Sequence, residues 1–171
     1  MKYPQVMIDL ETMSARSNAS ICSIGAVKFN QTEIISTFYC TIDIKTCKEV
    51  GLHIDMDTVE WWSKQNKEAL RELRRNNITL IEALDKFDEW FGSKSLPIWG
   101  NGAAFDNVIM DNAYKALGRK IPWSYWDDRC YRTAKAMFDW IPEDERQGVY
   151  HNSLDDAMHQ TKHLMKILGG E

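Results

Sequence analysis

The chain of 171 residues sets 21 Lys and Arg against 25 Asp and Glu, a formal net charge of −4, with 44% hydrophobic and 11% aromatic residues. The length suits one domain over residues 1–171, and the apolar content fills a core, which excludes a disordered chain. No apolar run approaches the roughly 18 residues of a membrane span, and the acidic balance speaks against bulk coating of nucleic acid while permitting a local basic groove.

After Met1-Lys2-Tyr3-Pro4 the chain reads as a strand, Val6 to Leu10, and not as a signal peptide. Ile21 to Phe29 and Glu33 to Asp43 are rich in β-branched and aromatic residues around Asn30-Gln31-Thr32, which predicts an antiparallel hairpin. A capping-box-like Asp57-Thr58-Val59-Glu60 predicts a helix start. A second start at Thr79 leads to Leu84, Phe87 and Phe91 at helical spacing, with Gly92 as the stop. Ser95 to Trp99 reads as a strand, Ala104 to Leu117 as a helix before Gly118, Arg129 to Trp140 as a helix before Pro142, and Ser153 to Leu168 as the last helix before Gly169-Gly170. Three strands followed by helices alternating with a further strand predict an α/β domain with a mixed sheet. Cys22, Cys40, Cys47 and Cys130 form no Cys-x-x-Cys pair, so free thiols in a reducing cytoplasm are expected rather than a zinc site or disulfides.

Three groups of residues do not fit a purely structural pattern. Asp9 lies in an apolar strand with Glu11 two residues on, and period-2 alternation puts both carboxylates on one face. Such a pair is either a solvated strand end or a holder of cations. Asp106 follows the small-residue turn Trp99-Gly100-Asn101-Gly102-Ala103-Ala104-Phe105 and falls in the first turn of a helix, at a strand-to-helix switch where α/β sheets place ligands. It also reads as an ordinary acid favoured by the helix dipole. In His151-Asn152-Ser153-Leu154-Asp155-Asp156, Ser153 is the expected N-cap with Asp156 at the third helical position, and His151 lies in the loop before the helix.

In this order, Asp9-x-Glu11, Asp106 and His151-x-x-x-x-Asp156 resemble the DEDDh family of 3′–5′ exonucleases, which includes oligoribonuclease, RNase T and proofreading subunits. Within it the likeness is to the phage-type, exonuclease-VIII-like branch. It rests also on Ile8 to Met13, Ser23 to Phe29, Trp61-Trp62 with Gln65, Trp99 to Asp106, and Ala157 with Gln160, and so spans essentially the whole chain.

The resemblance implies an RNase H-like fold, a central mixed five-stranded sheet flanked by helices. It implies that Asp9, Glu11, Asp106 and Asp156 hold two divalent cations, Mg²⁺ or Mn²⁺, and that His151 is the general base. Asp155, on another helix face, receives no role. It further implies that Thr12 and Met13 meet the terminal nucleotide, with Asn101 and Phe105 opposite. Trp61 or Trp62, Trp62 foremost, is a candidate stacking face, although a Trp pair beside an apolar stripe is also a core feature. The basic stretch Lys64, Lys67, Arg71, Arg74 and Arg75 reads either as a phosphate track or as a solvated face. His159 and His163, at i,i+4, lack further zinc ligands and read as ordinary helix residues.

The function expected from these residues is hydrolysis at the free 3′ end of single-stranded nucleic acid, DNA by the phage-type likeness, releasing nucleoside 5′-monophosphates in the cytoplasm. An exoribonuclease and a catalytically silent binding module are the alternatives. Oligomeric state stays open, a homodimer included.

Overall fold

A computed structural model describes residues 3–65, 67–148 and 150–169. Five strands form one sheet in the order β3-β2-β1-β4-β5. Here β1 is Gln5–Thr12, β2 Ile21–Phe29, β3 Ile34–Thr41, β4 Ile98–Gly100 and β5 Asp128–Cys130. β1 pairs antiparallel with β2 and parallel with β4, so the sheet is mixed and β1 lies at its centre.

The central strand is apolar on both faces because helices cover both. Val6, Ile8 and Leu10 face a core filled by α4 (Leu80–Phe91) and α5 (Asp106–Ala116), including Leu84, Phe87, Met110 and Tyr114. Met7, two residues before Asp9, packs on the opposite face with Val27, Phe29, Ala157 and Leu164, beneath α7 (Ser153–Gly169). Alternation therefore carries Asp9 and Glu11 to the α7 side, beyond the edge of that second core. The register of β1 slips between Glu11 and Thr12, where pairing with β2 ends.

Gly25 stands opposite Asp9 in the β1–β2 ladder. A Cβ built there would lie 2.1 Å from the Ser153 backbone carbon and 2.3 Å from the Leu154 nitrogen. The missing side chain thus lets the first turn of α7 rest directly on β2, and Ser23 and Ser153 join their hydroxyls across the contact at 2.9 Å.

Local chemistry explains most helix ends. Thr79 and Glu82 form the capping box that starts α4, and Gly92, at φ 88, ends it. α2 (Met56–Ser63) begins two residues before the motif expected at Asp57, because Asp55 is the cap and accepts from the Asp57 amide at 3.0 Å. Asn152 rather than Ser153 caps α7: its Oδ1 accepts from the Leu154 and Asp155 amides, which leaves the Ser153 hydroxyl for Ser23. Gly170, expected past the end of α7, lies outside the described residues.

The stretch read as one helix over 129–140 divides into β5 and α6 (Tyr131–Met137), since pairing of Asp128–Cys130 along β4 overrides helical spacing. The short helices α1 (Ile44–Glu49) and α3 (Lys67–Glu72) had no distinct sequence signal. All four cysteines are free, and among the described residues no helix is long and apolar enough to cross a membrane.

Gly25→Ala is expected to lower stability by about 1–3 kcal/mol or more through overpacking, read as a lower urea midpoint with an unchanged denaturant slope.

Candidate active site

The C-terminal ends of β1 and β4 and the first turns of α5 and α7 enclose a cavity of about 400 Å³, with Asp9, Glu11, Asp106, Asp156 and His151 in its wall. Carboxylate oxygens of Asp9, Glu11 and Asp156 lie within 4.8 Å of one another. Asp106 stands behind this trio: it opens α5, is buried, and accepts the Leu10 backbone N–H on Oδ1 at 3.2 Å. That bond anchors α5 to the backbone between the two β1 acids. Gln160, one turn after Asp156 on α7, donates to Asp9 Oδ1 at 2.8 Å.

Burial raises the proton affinity of three of these acids, and neighbouring carboxylates add to it at Asp9 and Glu11. Asp9 is held well above the ordinary carboxylate range, first by burial and then by the charges on Asp106 and Glu11. Burial, with Asp106 beside it, pushes Glu11 up to about 8. Burial pushes Asp106 up to about 7 even though backbone N–H groups favour its charged form.

Among the described residues, one side chain forms an ion pair with them. Arg146 Nη2 ion-pairs with Asp156 Oδ1, and the guanidinium lies over the Tyr150 ring at 4.1 Å. Its Nε is buried with no hydrogen-bond partner among the described residues. One guanidinium cannot neutralise four carboxylates. A concentrated set of carboxylate oxygens with no thiol or imidazole among them suits hard divalent cations such as Mg²⁺ or Mn²⁺.

His151 borders the same cavity with its backbone at φ 63, in the left-handed region. Burial, and then the Arg146 charge, hold its imidazole below the ordinary value. It is therefore neutral near pH 7 and keeps a lone pair for a proton.

The structure gathers the expected residues unevenly. Asn101 and Phe105 line the cavity, and the Asn101 carbonyl accepts from Arg132 at 2.6 Å. Thr12, Met13 and Trp62 do not reach its wall. The Thr12 hydroxyl donates to the Ser14 carbonyl, and Met13 packs against the cluster of Cys22, Trp62 and Leu73. Trp62 is 3% exposed and donates its indole N–H to the Thr12 carbonyl at 2.9 Å, so its ring is closed to a base and supports the β1 end instead. Large aromatics of this size are most often consumed by packing.

The basic residues at the cavity are Arg132, Lys135 and Arg146, not the stretch from Lys64 to Arg75. Lys64 is engaged with Glu60 on the surface of α2. Nothing local in the sequence marks Arg146, whose position depends on how the 142–152 loop returns to α7. Of the two helix histidines, His163 is buried between the Tyr131 hydroxyl and the Ile141 carbonyl, and His159 meets Glu143 at 3.0 Å in the cavity wall.

The carboxyl shifts fix a sign for stability. Glu11 and Asp106 bind protons more tightly folded than unfolded, so ionising them destabilises the fold. The melting temperature of the chelator-treated protein is expected to fall as pH rises from about 4.5, the ordinary Glu value, to about 8. Mg²⁺ or Mn²⁺ at pH 8 is expected to restore it, because an ion that binds only the folded state stabilises it. Scanning calorimetry across that window, with and without metal, measures both effects.

With this geometry, the family described as the 3′–5′ exoribonuclease Rv2179c-like domain matches residues 4–168. No curated protein sequence matches the chain. Among solved structures, the nuclease domain of 3′hExo, a DEDDh family member bound to rAMP, is similar at a TM-score of 0.66 and 16% identity, over 98% of this chain and 92% of that one. E. coli Exonuclease I in complex with a dA16 oligonucleotide is similar at 0.64 and 14%, over 96% of this chain and 41% of that one. Cell-death related nuclease 4 (CRN-4) follows at 0.56 and 13%, over 98% and 64%. Likenesses at such identities carry the fold, and the mixed five-stranded sheet with its flanking helices is that of the DEDDh exonucleases. The chain belongs to the Rv2179c-like 3′–5′ exoribonuclease domain family, a 3′–5′ exonuclease on a DEDDh-type fold.

Proposed function

We propose that this chain acts as a single domain that hydrolyses the terminal phosphodiester bond at the 3′ end of single-stranded RNA and releases nucleoside 5′-monophosphates. The observation that supports this most is the convergence of Asp9, Glu11 and Asp156 within 4.8 Å in a cavity that His151 borders with a neutral imidazole. The description of the matching family favours RNA. The phage-type likeness of the motifs favours a second reading, single-stranded DNA. The four free cysteines suit a reducing cytoplasm.

Asp9, Glu11 and Asp156, backed by Asp106, would hold the divalent cations, which when bound polarise the phosphate and acidify the attacking water. His151 takes the water's proton on an imidazole nitrogen. Gln160 keeps Asp9 oriented through its amide N–H. Asn101 and Phe105 form the wall available to the terminal nucleotide, and Arg132 and Lys135 put positive charge where phosphates approach. Lys135 is balanced by Glu143, so its charge is held in place at the rim.

Digestion of 5′-labelled single-stranded RNA and DNA side by side is expected to give a ladder of shortened labelled products with Mg²⁺ or Mn²⁺ and none with chelator, RNA disappearing faster. Faster loss of DNA would select the second reading, and no product from either would overturn both. Asp9→Asn is expected to abolish this activity while making the metal-free fold at pH 8 no less stable, because it removes one of several repelling charges. His151→Ala is expected to lower turnover about 10²–10⁴-fold, the scale of a positioned general base, with the metal-induced rise in melting temperature retained.

A further inference from the structure

α2 presents two consecutive tryptophans that serve different surroundings. Successive helical side chains point about 100° apart, so one indole can enter the interior while its neighbour stays at the surface. Trp62 is the interior one. Trp61 is 44% exposed, yet its ring is not idle. It meets the Trp62 ring at 5.1 Å and 78°, and the His151 imidazole at 5.0 Å and 84°. Trp62 meets the same imidazole at 5.9 Å and 79°. These are edge-to-face contacts, the arrangement that aromatic quadrupoles favour.

His151 needs such support. Its left-handed backbone is one that non-glycine residues adopt only at some energetic cost. No hydrogen bond to its ring occurs among the described residues, and the cap on α7 holds the loop through Asn152 rather than through His151. The contacts to its ring seen among the described residues are the aromatic ones from Trp61 and Trp62. Trp62 extends the connection through its N–H bond to the Thr12 carbonyl, one residue past Glu11.

We propose that Trp61, with Trp62 behind it, is a positioning residue for His151: the pair holds the imidazole toward the carboxylates and ties its direction to the end of β1. This inference rests on the reading of His151 as the proton acceptor. A base-stacking role for Trp61 is the competing assignment, and the two separate kinetically. Loss of positioning lowers turnover, since a displaced acceptor still binds substrate, whereas loss of a stacking face weakens binding.

The test compares Trp61→Ala and Trp61→Phe with the parent chain. Histidine ring protons are followed by NMR in the metal-free protein, with His151→Ala assigning the signal, and steady-state kinetics are measured on the RNA oligonucleotide with Mn²⁺. In Trp61→Ala the His151 resonance is expected to move toward that of a free imidazole, and kcat to fall about 10- to 100-fold at little changed KM. Trp61→Phe is expected to recover most of both. Because Trp61 lies at the surface, thermal melting of both variants is expected to stay near that of the parent. An unchanged His151 resonance, or a rise confined to KM, would overturn the proposal. If the parent chain degraded neither RNA nor DNA, the exonuclease reading would fall, and the resonance would by itself decide whether Trp61 holds His151.

Discussion

The seating of α7 on β2 at Gly25 governs the geometry of everything around it. A backbone-to-backbone approach this close leaves no room for a methyl group, and it brings the first turn of α7 over the face of β1 that carries Asp9 and Glu11. Asp156 then completes the carboxylate trio, Gln160 reaches Asp9 one turn later, and His151 is delivered to the cavity by the loop that the Asn152 cap terminates. On the other face of the sheet, the Leu10 amide performs the matching service by holding Asp106 at the start of α5. The site is thus assembled from three separate stretches of chain, β1, the start of α5 and the loop that runs into α7, and the two helices are each located by a contact to the backbone of the sheet.

Such an assembly works against the stability of the fold. Burial raises the proton affinity of Asp9, Glu11 and Asp106, carboxylate repulsion adds to it at Asp9 and Glu11, and among the described residues Arg146 is the side chain that ion-pairs with the cluster, through Asp156. The chain tolerates the repulsion because two apolar cores, one on each side of β1, hold the sheet independently of the acids. Four acids also equal the entire net charge of the chain, −4. Without them the chain carries 21 acidic and 21 basic side chains, so the −4 is no general bar to a polyanionic partner.

Much of the fold was legible in local patterns. The capping box at Thr79, the stop at Gly92 and the alternation along β1 each depend on residues within a few positions of one another, and the structure reproduces them. Failures occurred where a distant partner decided the outcome. β5 exists because β4 offers an edge to Asp128–Cys130, and Ser153 lost the capping role because Ser23 claims its hydroxyl. Trp62 followed the same rule: its ring was consumed by the interior beside Cys22 and Leu73, leaving Trp61 as the exposed member of the pair.

The sequence by itself pointed to Asp9, Glu11, Asp106, His151 and Asp156 as the proposed chemical set, because their order along the chain resembles that of the DEDDh exonucleases, while the spacing of each group also allowed an ordinary structural reading. It also determined the order of elements, three strands and then helices alternating with a further strand, from which a mixed sheet was expected. Only the tertiary structure decided that three of the acids form a tight trio with Asp106 behind them, that Arg146 is their counter-charge, and that an aromatic pair on α2 borders His151. The reason is range: spacing along the chain reports on neighbours within a turn or a strand. The distances between α2, β1, the 142–152 loop and α7 are set by packing, which no local pattern encodes.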